Sequence, residues 1–194
     1  GSFLGFDGYP AILCTSLNDE VVHAIPSDRV LKEGDLLKID MGVLYNGFHT
    51  DSATTILVGN NGDLVKRKLV QTTKESLEMG ISKAKAGNTL GDIGSAIQKH
   101  IEDKGFNVIR DLVGHGIGRE LHEPPQVLNY GKAGQGEKLV PGMVIAIEPM
   151  VVTGKWAIKN GKDGYAFITK DGGLAAHFEH TVAITDVGPL ILTK

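Results

Sequence analysis

The chain has 194 residues, 41% of them hydrophobic and 22% charged, and a net charge of −3. These are the values of an ordinary globular protein with enough chain for a proper core. No long basic run calls for nucleic acid or an anionic membrane, no apolar stretch approaches the roughly 18 residues of a membrane helix, and no signal peptide is visible. Cys14 is the one cysteine, which excludes an internal disulfide and fits a reducing, cytoplasmic setting.

In chain order, Gly1-Ser2 reads as a cloning remnant. Phe3–Pro10 is an aromatic, glycine-rich loop or strand edge. Ala11–Thr15 is a short strand, and Asn18-Asp19-Glu20 a turn. Leu36–Leu44 and Phe48–Val58 form a hairpin, and Asn60-Asn61-Gly62 ends that sheet section. Asp63–Lys85 is a helix, with Leu69, Thr73, Leu77 and Ile81 on one side. Thr89 caps a second helix, with Asp92 favouring its N-terminal dipole, Ile93, Ile97 and Ile101 as its buried stripe and Gly105 as its stop. Phe106–Val113 is a strand, Gly114–Gln126 a loop, and Asn129–Lys138 polar and glycine-rich. Met143–Met150, Tyr165–Thr169 and Leu174–Ile184 are strands. No linker interrupts this order, so the expectation is one α+β domain over residues 1–194.

The hairpin carries an electrostatic problem. Asn46-Gly47 specifies a two-residue type I′ turn, because both central residues need positive φ. Tyr45 then pairs with Phe48 and Asp40 with Ala53. Asp51 shares the face of Ala53, so Asp40 and Asp51 become diagonal neighbours about 7–8 Å apart at the backbone. Half-buried, two such charges repel and lose hydration. Either they share a proton for acid–base work, or a cation sits between them, or the face is wet and the charges are inconsequential.

A faint repeat extends the pattern. Gly34–Asp40 resembles Gly142–Glu148: in both, a glycine turn precedes by six residues a carboxylate on an apolar strand. His23-Ala-Ile-Pro26 echoes His122-Glu-Pro-Pro125, and Asp51 has a counterpart in Glu179. Two matching halves would each contribute one histidine and two carboxylates. Two helices precede His122, whereas only 22 residues precede His23. The repeat therefore predicts an N-terminally truncated domain, or a second polypeptide supplying the missing part.

Asp40, Asp51, His115, Glu148 and Glu179 are the candidate ligands. Each acid sits in or beside an apolar strand, with Arg119 the one arginine nearby, and buried charges without partners need a cation. Four carboxylates and an imidazole suit two divalent ions such as Mn, Fe, Co or Zn better than a structural zinc. Two such ions equip a hydrolase. The glycines around His115, in Val-Gly-His-Gly-Ile-Gly, let backbone pass close to a ligand, but they match no phosphate-binding loop.

The stretches CTSLNDEVVHAIPS, IDMG and GFHTDSATT, VGHGIGRELHEPPQV, GMVIAIEPM and AAHFEHTVAIT together resemble type I methionine aminopeptidases of the pita-bread metallopeptidase fold, from Phe3 onward. The resemblance implies a pseudo-twofold α+β fold: a curved antiparallel sheet with helices outside. It implies removal of the initiator methionine from nascent chains with a small second residue. Asp51 and Glu179 would bridge two metal ions, Asp40 would complete one, and His115 and Glu148 the other. Glu148 would shuttle the proton, His122 would contact the scissile carbonyl oxygen, and His23 the nitrogen side. Phe3, Phe6, Tyr9, Cys14, Leu121 and Tyr165 fall at the methionine pocket. His177 stands where the family has glutamine; it is either near the metals or a solvated residue. The implied partners are nascent N-termini and the ribosome, with no membrane and no nucleic-acid sequence recognition, for a monomer in the cytoplasm. Enzymes of the same fold that cleave Xaa-Pro bonds, and a binding protein without metals, are the alternatives. The 31-residue interval from Glu148 to Glu179 argues against the first, and the complete ligand set against the second.

Overall fold

The computed structural model describes residues 1–60 and 63–194. Of the expected turn at residues 60–62, Asn61 and Gly62 therefore lie outside the described residues. The chain opens with a short 3-10 turn, Phe6–Gly8. Strands β1 (Cys14–Leu17), β2 (Glu20–Val22), β3 (Leu36–Tyr45) and β4 (Phe48–Leu57) follow. Helices α1 (Leu64–Lys83) and α2 (Leu90–Asp103) come next, then β5 (Asn107–Val108), β6 (Gly114–Gly116), β7 (Glu123–Val127), β8 (Val144–Ile147) and β9 (Met150–Val152). The chain finishes with β10 (Ile158–Asn160), β11 (Phe167–Thr169), β12 (Ala175–His177), β13 (Glu179–Thr185) and β14 (Gly188–Ile191).

The central sheet runs β1-β3-β4-β13-β8-β6-β7, with β14 also on β13. Around the β4–β13 junction the order is mirrored: β3 answers β8, and β1 answers β6. This is the arrangement the internal repeat predicts. The hairpin has the expected register, with Tyr45 opposite Phe48 and Asp40 opposite Ala53, and Asn46 and Gly47 both at positive φ.

The helices begin where the sequence asks. Asp63 caps α1 by accepting from the Lys66 amide, and Thr89 and Asp92 form a reciprocal capping box on α2. Leu69, Leu77, Ile93, Ile97 and Ile101 are buried in one cluster with Ile145, Ile147 and Val182. Alternation along the strands puts those last three on the face opposite the carboxylates. The helices thus cover the outer face of the second half and leave the inner face for chemistry.

Several strand expectations are corrected. Phe106–Val113 forms strand only at Asn107–Val108. The predicted loop Gly114–Gln126 contains β6 and begins β7. Met143–Met150 is broken after Ile147 and Leu174–Ile184 at Phe178, so each expected strand serves two sheets. The breaks fall beside Glu148 and Glu179, where the strand leaves one ladder for another.

Candidate metal centre

Strand register assembles the site. Cys14 lies opposite Asp40, Asp40 opposite Ala53, and Ala53 opposite Glu179, which makes one lateral row across β1, β3, β4 and β13. Thr181 and His115 both lie opposite Ala146. Thr181 also joins Asp51: its hydroxyl accepts from the Asp51 amide and donates to the Asp51 carbonyl, each at 2.8 Å. A second row therefore runs Asp51–Thr181–Ala146–His115. Glu148 follows β8 directly, on the face of Ala146. The small Ala53 and Ala146 leave room between the acids.

Ligand atoms of Asp51, His115 and Glu179 all lie within 4.8 Å of one another, so these three can hold one ion. Glu148 Oε1 is 3.5 Å from His115 Nε2. His115 Nδ1 stands 2.8 Å from the Gly116 carbonyl, which can only accept, so Nδ1 carries the proton and Nε2 turns a lone pair toward the acids.

The electrostatics fit a cation. Asp40, Asp51 and Glu179 are buried, and Glu148 is mostly so. Burial raises Asp51 from its ordinary 3.8 to about 7, although the Ser52 amide donates to its Oδ1 at 2.9 Å. Burial, then the neighbouring carboxylates, push Asp40, Glu148 and Glu179 well above the usual carboxylate range. Asp40 Oδ1 is buried without a hydrogen-bond partner. Oxygens so crowded and so poorly satisfied are what a bound divalent ion would neutralise. The wet-face reading of the hairpin is thereby excluded.

A cavity of about 320 Å³ opens over the acids. All eight residues expected to contact substrate line it: Phe3, Phe6, Tyr9, Cys14, His23, Leu121, His122 and Tyr165. Tyr9 donates its hydroxyl to the Ala24 carbonyl at 3.0 Å and Tyr165 to Gly8 at 2.8 Å, so both phenols are satisfied by backbone. Burial pushes the Cys14 thiol up to about 12, which keeps it neutral. Gly42, on the carboxylate face, has no room for a side chain: a Cβ there would meet Ser2 and Phe3 at 2.7–2.8 Å. Glycine thus lets the first residues lie against the site.

The histidines are neutral bases. His122 packs edge-on to His115, ring centres 4.4 Å apart, with Phe6 on its other side at 5.1 Å. Burial lowers its pKa. His23 presents its ring to the cavity and stays open to solvent on one side; partial desolvation by the surrounding protein lowers its pKa. Its φ of 65° is an uncommon backbone state for a residue other than glycine, of the kind that clusters at functional sites.

Some readings change. The glycines flanking His115 make room for protein and not for a ligand: a Cβ on Gly114 would lie 2.3 Å from the Ala146 carbonyl, and on Gly116 2.1 Å from that of Pro124. His177 is not solvated but 1% exposed, with Nε2 3.6 Å from Glu148 Oε2. Asp7, Gly164 and Phe167 also line the cavity and were not anticipated. Phe167 lies two residues beyond Tyr165, at the start of β11. Lys38 was missed too. It sits two residues before Asp40 with its Nζ donating to the Asn18 carbonyl at 2.9 Å, and burial lowers its pKa to about 7.

Fold, buried acids and imidazole together define a metal-dependent hydrolytic centre. Residues 3–186 match Metallopeptidase family M24. The methionine aminopeptidase of Clostridium acetobutylicum is 51% identical over 99% of this chain and 77% of its own length, and methionine aminopeptidase 1 of Bacillus subtilis is 49% identical over 100% and 77%. Among solved structures, methionine aminopeptidase from Thermotoga maritima superposes with a TM-score of 0.97 at 49% identity, covering 100% of this chain and 78% of that one. Prolidase from Pyrococcus furiosus superposes at 0.74 and 28% identity, over 95% and 49%. The chain belongs to metallopeptidase family M24: it has the pita-bread fold and binds divalent metal.

Proposed function

We propose that this chain is a methionyl aminopeptidase, which removes the initiator methionine from nascent proteins whose second residue is small. The observation that carries this reading is that Asp40, Asp51, His115, Glu148 and Glu179 line one cavity together with apolar side chains and the Cys14 thiol. The names of its relatives, at about half identity over nearly the whole chain, support it. Two divalent ions would be held by Asp40, Asp51, His115, Glu148 and Glu179, with Asp51 and Glu179 shared. Co, Mn, Fe and Zn all suit this donor set. When bound, such ions acidify water and polarise a carbonyl.

The chain's own groups do the rest. Phe3, Phe6, Tyr9, Cys14, Leu121 and Tyr165 enclose a thioether side chain and exclude water. Glu148 accepts the proton of the attacking water and delivers it to the departing amine. His122, neutral and beside His115, donates to the carbonyl oxygen as charge develops there. His23 faces it across the cavity and positions the nitrogen side of the scissile bond. The remaining peptide leaves through a second opening of about 460 Å³ that shares His23, His115, His122 and Glu148. In this reading residues 1–194 form one catalytic domain, a cytoplasmic monomer working on chains emerging from the ribosome.

Hydrolysis of Met-Ala-Ser by the Mn(II)- or Co(II)-loaded chain and by its Glu179→Ala variant tests the proposal. Release of methionine by the first alone is expected, with up to two divalent ions bound per molecule. Equal rates would sink the mechanism. Preference for Ala-Pro peptides would move the chain to the prolidase branch of the fold.

A further inference from the structure

The mechanism leaves one buried side chain without a task. His177 ends β12, two residues before Glu179, which begins β13. It is 1% exposed, and neither ring nitrogen has a hydrogen-bond partner among the described residues. A neutral imidazole carries one N–H, and a buried donor left unpaired loses its hydration with nothing in return. The acceptor in reach is Glu148 Oε2, 3.6 Å from Nε2. That separation is just beyond hydrogen-bond length, and a shift of a few tenths of an ångström in the Glu148 carboxylate closes it.

Glu148 is bracketed by two imidazoles that offer it different things. On the Oε1 side, His115 Nε2 stands 3.5 Å away and presents a lone pair, because the Nδ1 proton of His115 is committed to the Gly116 carbonyl. Two electron pairs facing each other call for a cation between them. On the Oε2 side, His177 Nε2 has no competing partner. Its backbone is held in place: the Thr55 hydroxyl accepts from the His177 amide at 2.8 Å and donates to the His177 carbonyl at 2.7 Å. Thr55 is on β4, four residues beyond Asp51, so the clamp ties His177 to the first half of the sheet.

We propose that His177 is a positioning residue whose Nε2–H donates to Glu148 Oε2 and reserves Oε1 for the metal side. The inference rests on the reading of Glu148 as a ligand and adds to it the orientation of that carboxylate. Outer partners that orient a ligand are typically worth about 10–100-fold in metal affinity.

Nitrogen-15 histidine NMR of the wild-type chain, metal-free and Zn(II)-loaded, reads the arrangement directly, with the His177 signals assigned by their loss in His177→Gln. The expected result is an Nε2–H tautomer for His177 in both states. An Nδ1–H tautomer, or loss of the Nε2 proton on loading, overturns the proposal; the latter would make His177 itself a ligand. Calorimetric titration with Mn(II) supplies the second arm. His177→Leu should weaken binding about 10–100-fold. His177→Gln keeps a side-chain N–H donor and should stay within about threefold of wild type. On Met-Ala-Ser, kcat should fall in the leucine variant with KM little changed. Equal Mn(II) affinity in all three proteins also overturns the proposal. If wild type binds no Mn(II), the metal-centre reading falls and this inference with it. If wild type binds and the tautomer is wrong, only the role of His177 falls. Should the leucine variant not fold, the wild-type spectra decide alone.

Discussion

The two halves of the central sheet are alike inside and unlike outside. On the inner face each half supplies two carboxylates: Asp40 and Asp51 from β3 and β4, Glu148 and Glu179 from the end of β8 and from β13. On the outer face, Ile145, Ile147 and Val182 of the second half are 0% exposed beneath α1 and α2. The corresponding face of the first half leaves Met41, Val43 and Ile56 at 44%, 43% and 46% exposure. Strands of similar chemistry thus present matching carboxylates on one face and unequally covered apolar side chains on the other. What an apolar side chain is worth depends on what covers it, not on its being in a strand.

The largest effects are expected on the shared inner face. Asp51→Ala and Glu179→Ala, one from each half, should both lower methionine release from Met-Ala-Ser by more than about a thousandfold, because each removes a ligand from the same cluster. A residual rate differing greatly between the two would break the functional equivalence of the halves. Next come the outer faces. Ile147→Ala should cost about 2–5 kcal/mol in urea unfolding, the range for truncating a well-packed aliphatic side chain. Met41→Ala and Ile56→Thr should stay within about 0.5 kcal/mol, as exposed positions do. Equal losses would show that the first half's outer face is covered in solution.

A smaller effect follows from the acids. A carboxyl whose pKa is raised by folding holds its proton more tightly in the native state. Its stabilising share is complete below the unfolded value and is lost as pH rises through the folded one. For Asp51 that window runs from about 4 to about 7. In the chain stripped with EDTA this loss from Asp51 opposes the gain that the buried neutral histidines bring as pH rises, and Asp51→Asn should shift the slope toward greater stability at higher pH. Saturating Mn(II) should reverse the Asp51 loss, since metal binds the ionised form. An Asp51→Asn variant with the same pH slope as the wild-type metal-free chain would contradict the burial of this carboxylate. The smallest effect belongs to the helix cap. Thr89→Ala removes half of the capping box and should cost about 1 kcal/mol in thermal unfolding, with catalysis untouched.

Much of this was legible in the chain itself. The Asn46-Gly47 turn dictates the hairpin register, and with it the diagonal of Asp40 and Asp51, because period-two alternation leaves no freedom once the turn is set. Caps and the Ile93, Ile97, Ile101 stripe define α2 for the same local reason. The resemblance carried by the motifs brought the candidate pocket residues, and these line one cavity with the candidate ligands. What the sequence withheld depends on neighbours far along the chain. His177 could be solvated or buried until β12 was placed beside Glu148. The glycines of β6 could face a ligand or a strand until β7 and β8 closed on them. Lys38 is a charged residue on a strand, and only packing from distant segments brings it to 1% exposure. By itself, then, the sequence determined the hairpin and the helices, since these follow from local geometry and residue type, and through its motifs it named the candidate ligands. Only the tertiary structure decided which polar groups are buried and which atoms face one another, because burial and orientation are properties of the packed sheet and of no single segment within it.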